Sequence, residues 1–199
     1  MGTSAYLRSR AGVQESASTP SPTPPAAPVT CRKDPCKVVA AKSLGDTRIE
    51  LVVDADSSGA RLKIGADRVI ESRLPAQNAV LGEKSLSCVP GNLSACLIKG
   101  SVPRDGAWIS EVVVSRSNKW NATTPVYLSS TEYQSLVNVT GDGAPELVTV
   151  QRAGSSFYLQ VFSIDGSDPG CTQPVPKLER LPGWPDVKPD QHLLKPCSA

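Results

Sequence analysis

The sequence predicts an all-β protein of antiparallel sheets, arranged propeller-like or as a sandwich or barrel, stapled by three local disulfides and finished by a Pro-rich C-terminal strap. Three observations carry that prediction. Short segments of β-branched residues, some with period-two alternation, recur along the chain and are broken by Gly, Asp and Ser turns. No segment shows a sustained 3.6-residue apolar stripe with caps, so helices are expected to be short or absent. The six cysteines fall into neighbouring pairs, Cys31 with Cys36, Cys88 with Cys96 and Cys171 with Cys197. None of these pairs has the spacing of a metal knuckle, and together they read as disulfides of an oxidising compartment. An aromatic fraction of only 5% makes small-residue β packing plus disulfides the expected source of stability.

The elements follow in order. Residues 1–14 lack the apolar core of a signal peptide, so an export signal is expected upstream of this chain; reduced cysteines are the alternative. Residues 15–30 read ESASTPSPTPPAAPVT, which buries too little apolar surface to offset ordering entropy. Residues 1–30 are therefore expected to form a disordered Pro/Ser/Thr-rich linker, with a disulfide-stapled β domain over 31–199. Strands are expected at 37–42, 47–54 and 60–64, the clearest hairpins, separated by Gly45-Asp46 and by the turn 54–59. Further strands are expected at 79–86, 95–100, 108–115, 126–128, 135–139, 146–152 and 157–164. Glu50-Leu-Val-Val, Glu111-Val-Val-Val and Glu146-Leu-Val-Thr-Val each open an apolar run with a carboxylate, at unequal spacings that do not make a strict repeat. From Thr172 to Cys197 six prolines forbid a helix or a central strand. Ending in a cysteine, this stretch is expected to pack across the domain through Leu178, Leu181 and Trp184.

Composition excludes several function classes. Formal net charge is +2, with basic residues scattered rather than gathered among aromatics, which argues against nucleic acid. No run reaches the roughly 18 apolar residues of a membrane helix, so a membrane is expected only through an upstream anchor. His192, the one histidine, lies in a proline-bounded tail and reads as a surface residue rather than a triad member. Neither a Gly-x-Ser-x-Gly elbow, a His-Glu-x-x-His helix nor a phosphate-binding glycine loop is present. No catalytic residue is assigned, and Trp108, Trp120 and Trp184 read as core or lid residues before ligand contacts. The turn 54–59 opens like a calcium loop but has Gly65 where a bidentate Glu is needed, and reads as a hairpin turn.

One motif carries a resemblance. The run VNVTGDGAPELVTV, residues 137–150, resembles the loop and strand of the FG-GAP or integrin-type propeller repeat, over at most residues 135–166. The resemblance implies a calcium loop, with Asn138, Thr140, Asp142 and Glu146 as the candidate metal ligands. Only two of these four are carboxylates. Read from the residues themselves, 140–143 is a tight turn using glycine where positive φ is required, and Glu146 is a polar strand end. More loosely, the unit from Cys31 to Cys197 is similar to uncharacterised exported domains of high-GC Gram-positive bacteria, lipoprotein-like or membrane-anchored. That similarity implies a place outside the cytoplasm, secreted or at the cell surface, and no activity. It also makes the Asn-x-Ser/Thr triplets at Asn92, Asn121 and Asn138 chance occurrences.

Two function classes result. The first is a non-catalytic extracytoplasmic domain, tethered to the cell envelope by the Pro-rich linker, that binds a protein or envelope polymer. The second is a secreted hydrolase or inhibitor whose site is assembled from scattered residues.

Overall fold

Every strand among the described residues belongs to an antiparallel meander. The computed structural model describes residues 30–164 and 169–197; the expected linker therefore lies outside the described residues save for Thr30. The first sheet comprises β1 (Lys37–Leu44), β2 (Thr47–Val53), β3 (Ala60–Ile64) and β4 (Arg68–Ser72). The second comprises β5 (Leu86–Val89), β6 (Ser94–Val102), β7 (Ala107–Arg116) and β8 (Lys119–Ser129), and the third β9 (Gln134–Val137), β10 (Glu146–Ala153), β11 (Ser156–Ser163) and β12 (Gly170–Cys171). Helical residues among those described are confined to four single 3-10 turns.

Period-two alternation explains how the sheets stack. On β6, Cys96 and Ile98 point into one apolar cluster with Ile49, Leu51 and Leu62 of the first sheet, while Ala95 and Leu97 point into another with Leu136 and Leu147 of the third. The second sheet is thus buried on both faces, which is why Val112 and Val113 are adjacent yet both buried. First strands lie side by side, β1 against β5 and β5 against β9. The all-β architecture is thus three antiparallel four-stranded sheets stacked in chain order. The sheets begin at Lys37, Leu86 and Gln134, 49 and 48 residues apart. A structural period therefore exists where the three carboxylate-led runs suggest none. Only Glu146 opens its strand; Glu50 lies within β2 and Glu111 within β7.

Other expectations are corrected. Residues 79–86 are no strand. Val80 makes a single bridge to Ser101, the Gly82 N–H bonds the Ser85 hydroxyl at 2.8 Å, and β5 starts only at Leu86. The short strand at 126–128 is the end of the eleven-residue β8. Pro125 hides it, because this edge strand carries the proline at a bulge where pairing jumps from Glu111 with Val126 to Val113 with Ala122. β4 and β12 were not predicted.

All three disulfides form the expected local pairs. Cys88 and Cys96 stand directly opposite on β5 and β6 with Cα atoms 4.0 Å apart.

A buried carboxylate joins the first two sheets. Glu111 on β7, 2% exposed, accepts hydrogen bonds from the Ser72 hydroxyl at 2.8 Å, the Arg73 N–H at 3.1 Å and the Arg73 Nε at 2.6 Å. The same guanidinium donates to the carbonyls of Thr124 at 2.7 Å and Thr123 at 3.0 Å, which the β8 bulge turns toward it. Between the second and third sheets, the Ser129 hydroxyl donates to the Val150 carbonyl at 3.0 Å.

Beyond Cys171 the chain returns along the third sheet. Val175 and Phe157 exchange backbone bonds of 2.7 and 2.8 Å, and Leu181 and Val187 join Val148, Val150, Leu159 and Val161 in an apolar cluster. Leu178 and Trp184 pack against it half-buried, and the Tyr133 hydroxyl donates to the Val187 carbonyl at 3.2 Å.

Two outcomes follow from these contacts. Arg73→Ala leaves Glu111 buried without its counter-charge. Because the arginine is half-exposed the loss is expected at about 2 kcal/mol, read as a lower urea midpoint with unchanged slope. Burial pushes the Tyr133 phenol above its ordinary value of 10.0, so the folded state keeps that proton to higher pH than the unfolded chain. Its contribution is present below pH 10.0 and lost as pH rises through the raised value. Alkaline melting should show stability falling above that pH, and Tyr133→Phe should flatten the fall.

Candidate functional site

The calcium-like loop closes on itself. After β9 the chain must reverse within a few residues, and the oxygen-bearing side chains do that work. Asn138 Oδ1 accepts the Gly141 N–H at 2.8 Å and Asp142 Oδ1 accepts the Ala144 N–H at 2.8 Å. Glu146, 3% exposed, accepts the Val139 N–H and the Thr140 hydroxyl, both at 2.7 Å. The structure thus joins Thr140 to Glu146 and leaves Asn138 and Asp142 exposed on turns of their own. Gly143, at φ +84°, gives its carbonyl to the Asn92 N–H at 3.2 Å, and a Cβ there would lie 2.6 Å from the Asn92 amide. Loop and disulfide hairpin are therefore docked together. No group of three or more His, Cys, Asp or Glu side chains gathers as a metal set among the described residues.

The other singled-out carboxylates also hold structure, with Asp54 Oδ2 left buried and without a hydrogen-bond partner among the described residues. Asp54, 1% exposed, pairs with Arg61 at 2.7 Å, and the Asp54 N–H closes the β2–β3 turn on the Gly59 carbonyl at 2.9 Å. The Ser58 hydroxyl and N–H, at 2.7 and 3.0 Å, hold the exposed Asp56 carboxyl below its ordinary range. Asp190 accepts the backbone N–H of His192 at 2.9 Å, and His192 is exposed. Trp120 is core between the first two sheets, while Trp108 is half-buried with Lys99 Nζ 5.9 Å from its ring centre.

A different place presents free donors. A cleft of about 470 Å³ opens where the C-terminal segment meets the β10–β11 hairpin, lined by Arg152, Tyr158, Thr172, Gln173, Lys195 and Pro196 among others. Its walls are held rigidly. Cys171 and Lys195 exchange backbone bonds of 2.7 and 2.9 Å beside the Cys171–Cys197 disulfide. Gly170, at φ +125°, makes that approach possible, since a Cβ there would meet the Lys195 carbonyl at 2.5 Å. Thr172 accepts the Leu159 N–H on its hydroxyl at 2.9 Å and is 9% exposed. Arg152 lies with its guanidinium 5.0 Å from the Phe157 ring centre. Ion pairs among the described residues involve Arg32, Arg48, Arg61, Lys63 and Arg73, not Arg152 or Lys195. Among the described residues no carboxylate lines this cleft.

Sequence reasoning passed over these residues. The available signal was the Cys171–Cys197 pair, because bonding those cysteines brings Thr172 and Lys195 together.

If the loop at 138–146 is a turn held by its own side chains, millimolar calcium and chelator should give the same melting temperature. Glu146→Gln, which weakens the loop's acceptor, should lower stability by about 1 to 3 kcal/mol. A calcium-dependent rise abolished by Asp142→Ala would establish the metal site instead. Compared with family models, curated proteins and solved structures, the chain finds no match.

Proposed function

We propose that this chain is a non-catalytic extracytoplasmic domain, tethered to the cell envelope through its Pro-rich N-terminal sequence, that binds an envelope polymer at the cleft between the C-terminal segment and the β10–β11 hairpin. One observation carries the reading. The buried carboxylates Asp54, Glu111 and Glu146 are each engaged in holding structure, whereas Arg152 and Lys195, which line the cleft, make no ion pair among the described residues. General acid–base hydrolysis needs a carboxylate or histidine poised at the reacting bond, and the cleft offers cations, hydroxyls and an amide.

The place in the cell rests on independent support. Three disulfides suit an oxidising compartment. No helix among the described residues is long and apolar enough to cross a membrane. The FG-GAP-like stretch falls on β9, β10 and β11 as far as residue 164, with 165–166 outside the described residues. That placement suits a reading of the three sheets as propeller-type blades.

The test is co-sedimentation of the full chain with purified cell walls of a high-GC Gram-positive bacterium. The chain is expected in the pellet, and an Arg152→Ala, Lys195→Ala double variant in the supernatant. A full chain that stays in the supernatant would sink the envelope reading, and soluble wall fragments released during incubation would sink the non-catalytic one.

A further inference from the structure

The cleft has a definite chemical preference. Five residues that line it carry hydrogen-bond donors: Arg152 and Lys195 are charged, Tyr158 and Thr172 bear hydroxyls, and Gln173 bears an amide. The Thr172 oxygen already accepts the Leu159 N–H, and the hydroxyl of this nine-tenths-buried residue still has its own proton to offer. Stacking on Phe157 holds the Arg152 guanidinium while leaving its N–H groups unspent. Among the described residues no carboxylate lines the cleft, so an anion there would meet two cationic residues and no like charge. A planar carboxylate has two oxygens to offer; a tetrahedral oxyanion has more, and suits a donor set spread over both walls.

We propose that this cleft binds a phosphate group, and that the Cys171–Cys197 disulfide makes the site by fixing Lys195 within it. The proposal deepens the envelope-binding reading and rests on it for the source of the phosphate, a phosphodiester-linked polymer rather than the free ion. The disulfide enters because Arg152 and Tyr158 belong to the β10–β11 hairpin, whereas Lys195 is brought to the cleft from the C-terminal segment by the bridge to Cys171 and the bond two residues further on, beside the packed Leu194. Opening that bond leaves Lys195 held by its two backbone hydrogen bonds to Cys171 and by the packing of its neighbour Leu194.

The experiment is an amide NMR titration of the oxidised full chain with inorganic phosphate, repeated with poly(glycerol phosphate). Saturable shifts are expected at residues 152–158, 171–174 and 195, weakened at least tenfold by Arg152→Gln or by Lys195→Gln and untouched by Lys188→Gln on the same segment. Shifts that grow linearly, or that spread over the exposed lysines, would overturn the site. Cys171→Ser with Cys197→Ser should lose the saturable phase while the β6 and β7 amides keep their positions; undiminished affinity in that variant would overturn the role of the disulfide. Gly170→Ala, which leaves both cysteines in place but pushes on the Lys195 carbonyl, should weaken binding in the same direction. Tighter binding of poly(glycerol phosphate) than of the free ion supports the polymer source, and equal or weaker binding overturns it. Failure to pellet with cell walls alongside intact phosphate binding would remove the envelope reading and leave the oxyanion site standing.

Discussion

The stack of sheets depends on how Glu111 is held. A carboxylate placed between two apolar sheets is costly unless its charge and lone pairs are met, and Ser72 and Arg73 meet them from the last residues of the first sheet. The arrangement is directional. Arg73 binds Glu111 on one side and the β8 bulge carbonyls on the other, so a single side chain fixes the end of β4 against β7 and β8 together. Apolar contacts such as Ile98 against Leu51 supply area without direction. The ionic clamp selects one register among the many that apolar sheets allow.

Beyond that clamp, the same logic recurs at other joints. Arg61 neutralises Asp54 where the first disulfide loop lies over the outer face of the first sheet, and the Arg32 N–H joins the same carboxylate at 3.3 Å. Burial pulls the Lys99 ammonium below its ordinary range, and its Nζ donates to the Glu132 carbonyl at 3.1 Å just ahead of β9. Charged side chains here serve as connectors between sheets, which fits a chain whose aromatic fraction is 5%.

What the sequence made legible, and what it hid, divides along physical lines. Strand 47–53 was readable because Ile49, Leu51 and Val53 alternate with Arg48 and Glu50, and strand 146–153 because its buried half, Leu147 to Val150, is apolar or β-branched on both faces. β8 was not, because a bulged edge strand tolerates Asn121, Thr123 and Pro125. β4 and β12 were too short to show a period. The disulfides were readable because neighbours in sequence stay neighbours across a hairpin. Glu111 was visible as a carboxylate on an apolar run, but its partner lies 38 residues away at Arg73, and no local pattern encodes that distance. The cleft residues were hidden for the same reason: Arg152 and Lys195 meet only after the chain has doubled back.

The bridge between Cys171 and Lys195 has a consequence for how such molecules behave when crowded. A sheet that ends in an open strand offers a row of free N–H and C=O groups on which another chain can grow. Here the outermost strand of the third sheet is two residues long, its far side is taken by Lys195, and the next residue is Pro196, which has no N–H to extend the ladder. The edge of the second sheet carries Pro125 at a bulge, and β1 is irregular between Val38 and Ala40. Blunted edges of this kind let many copies crowd together without zipping into fibres.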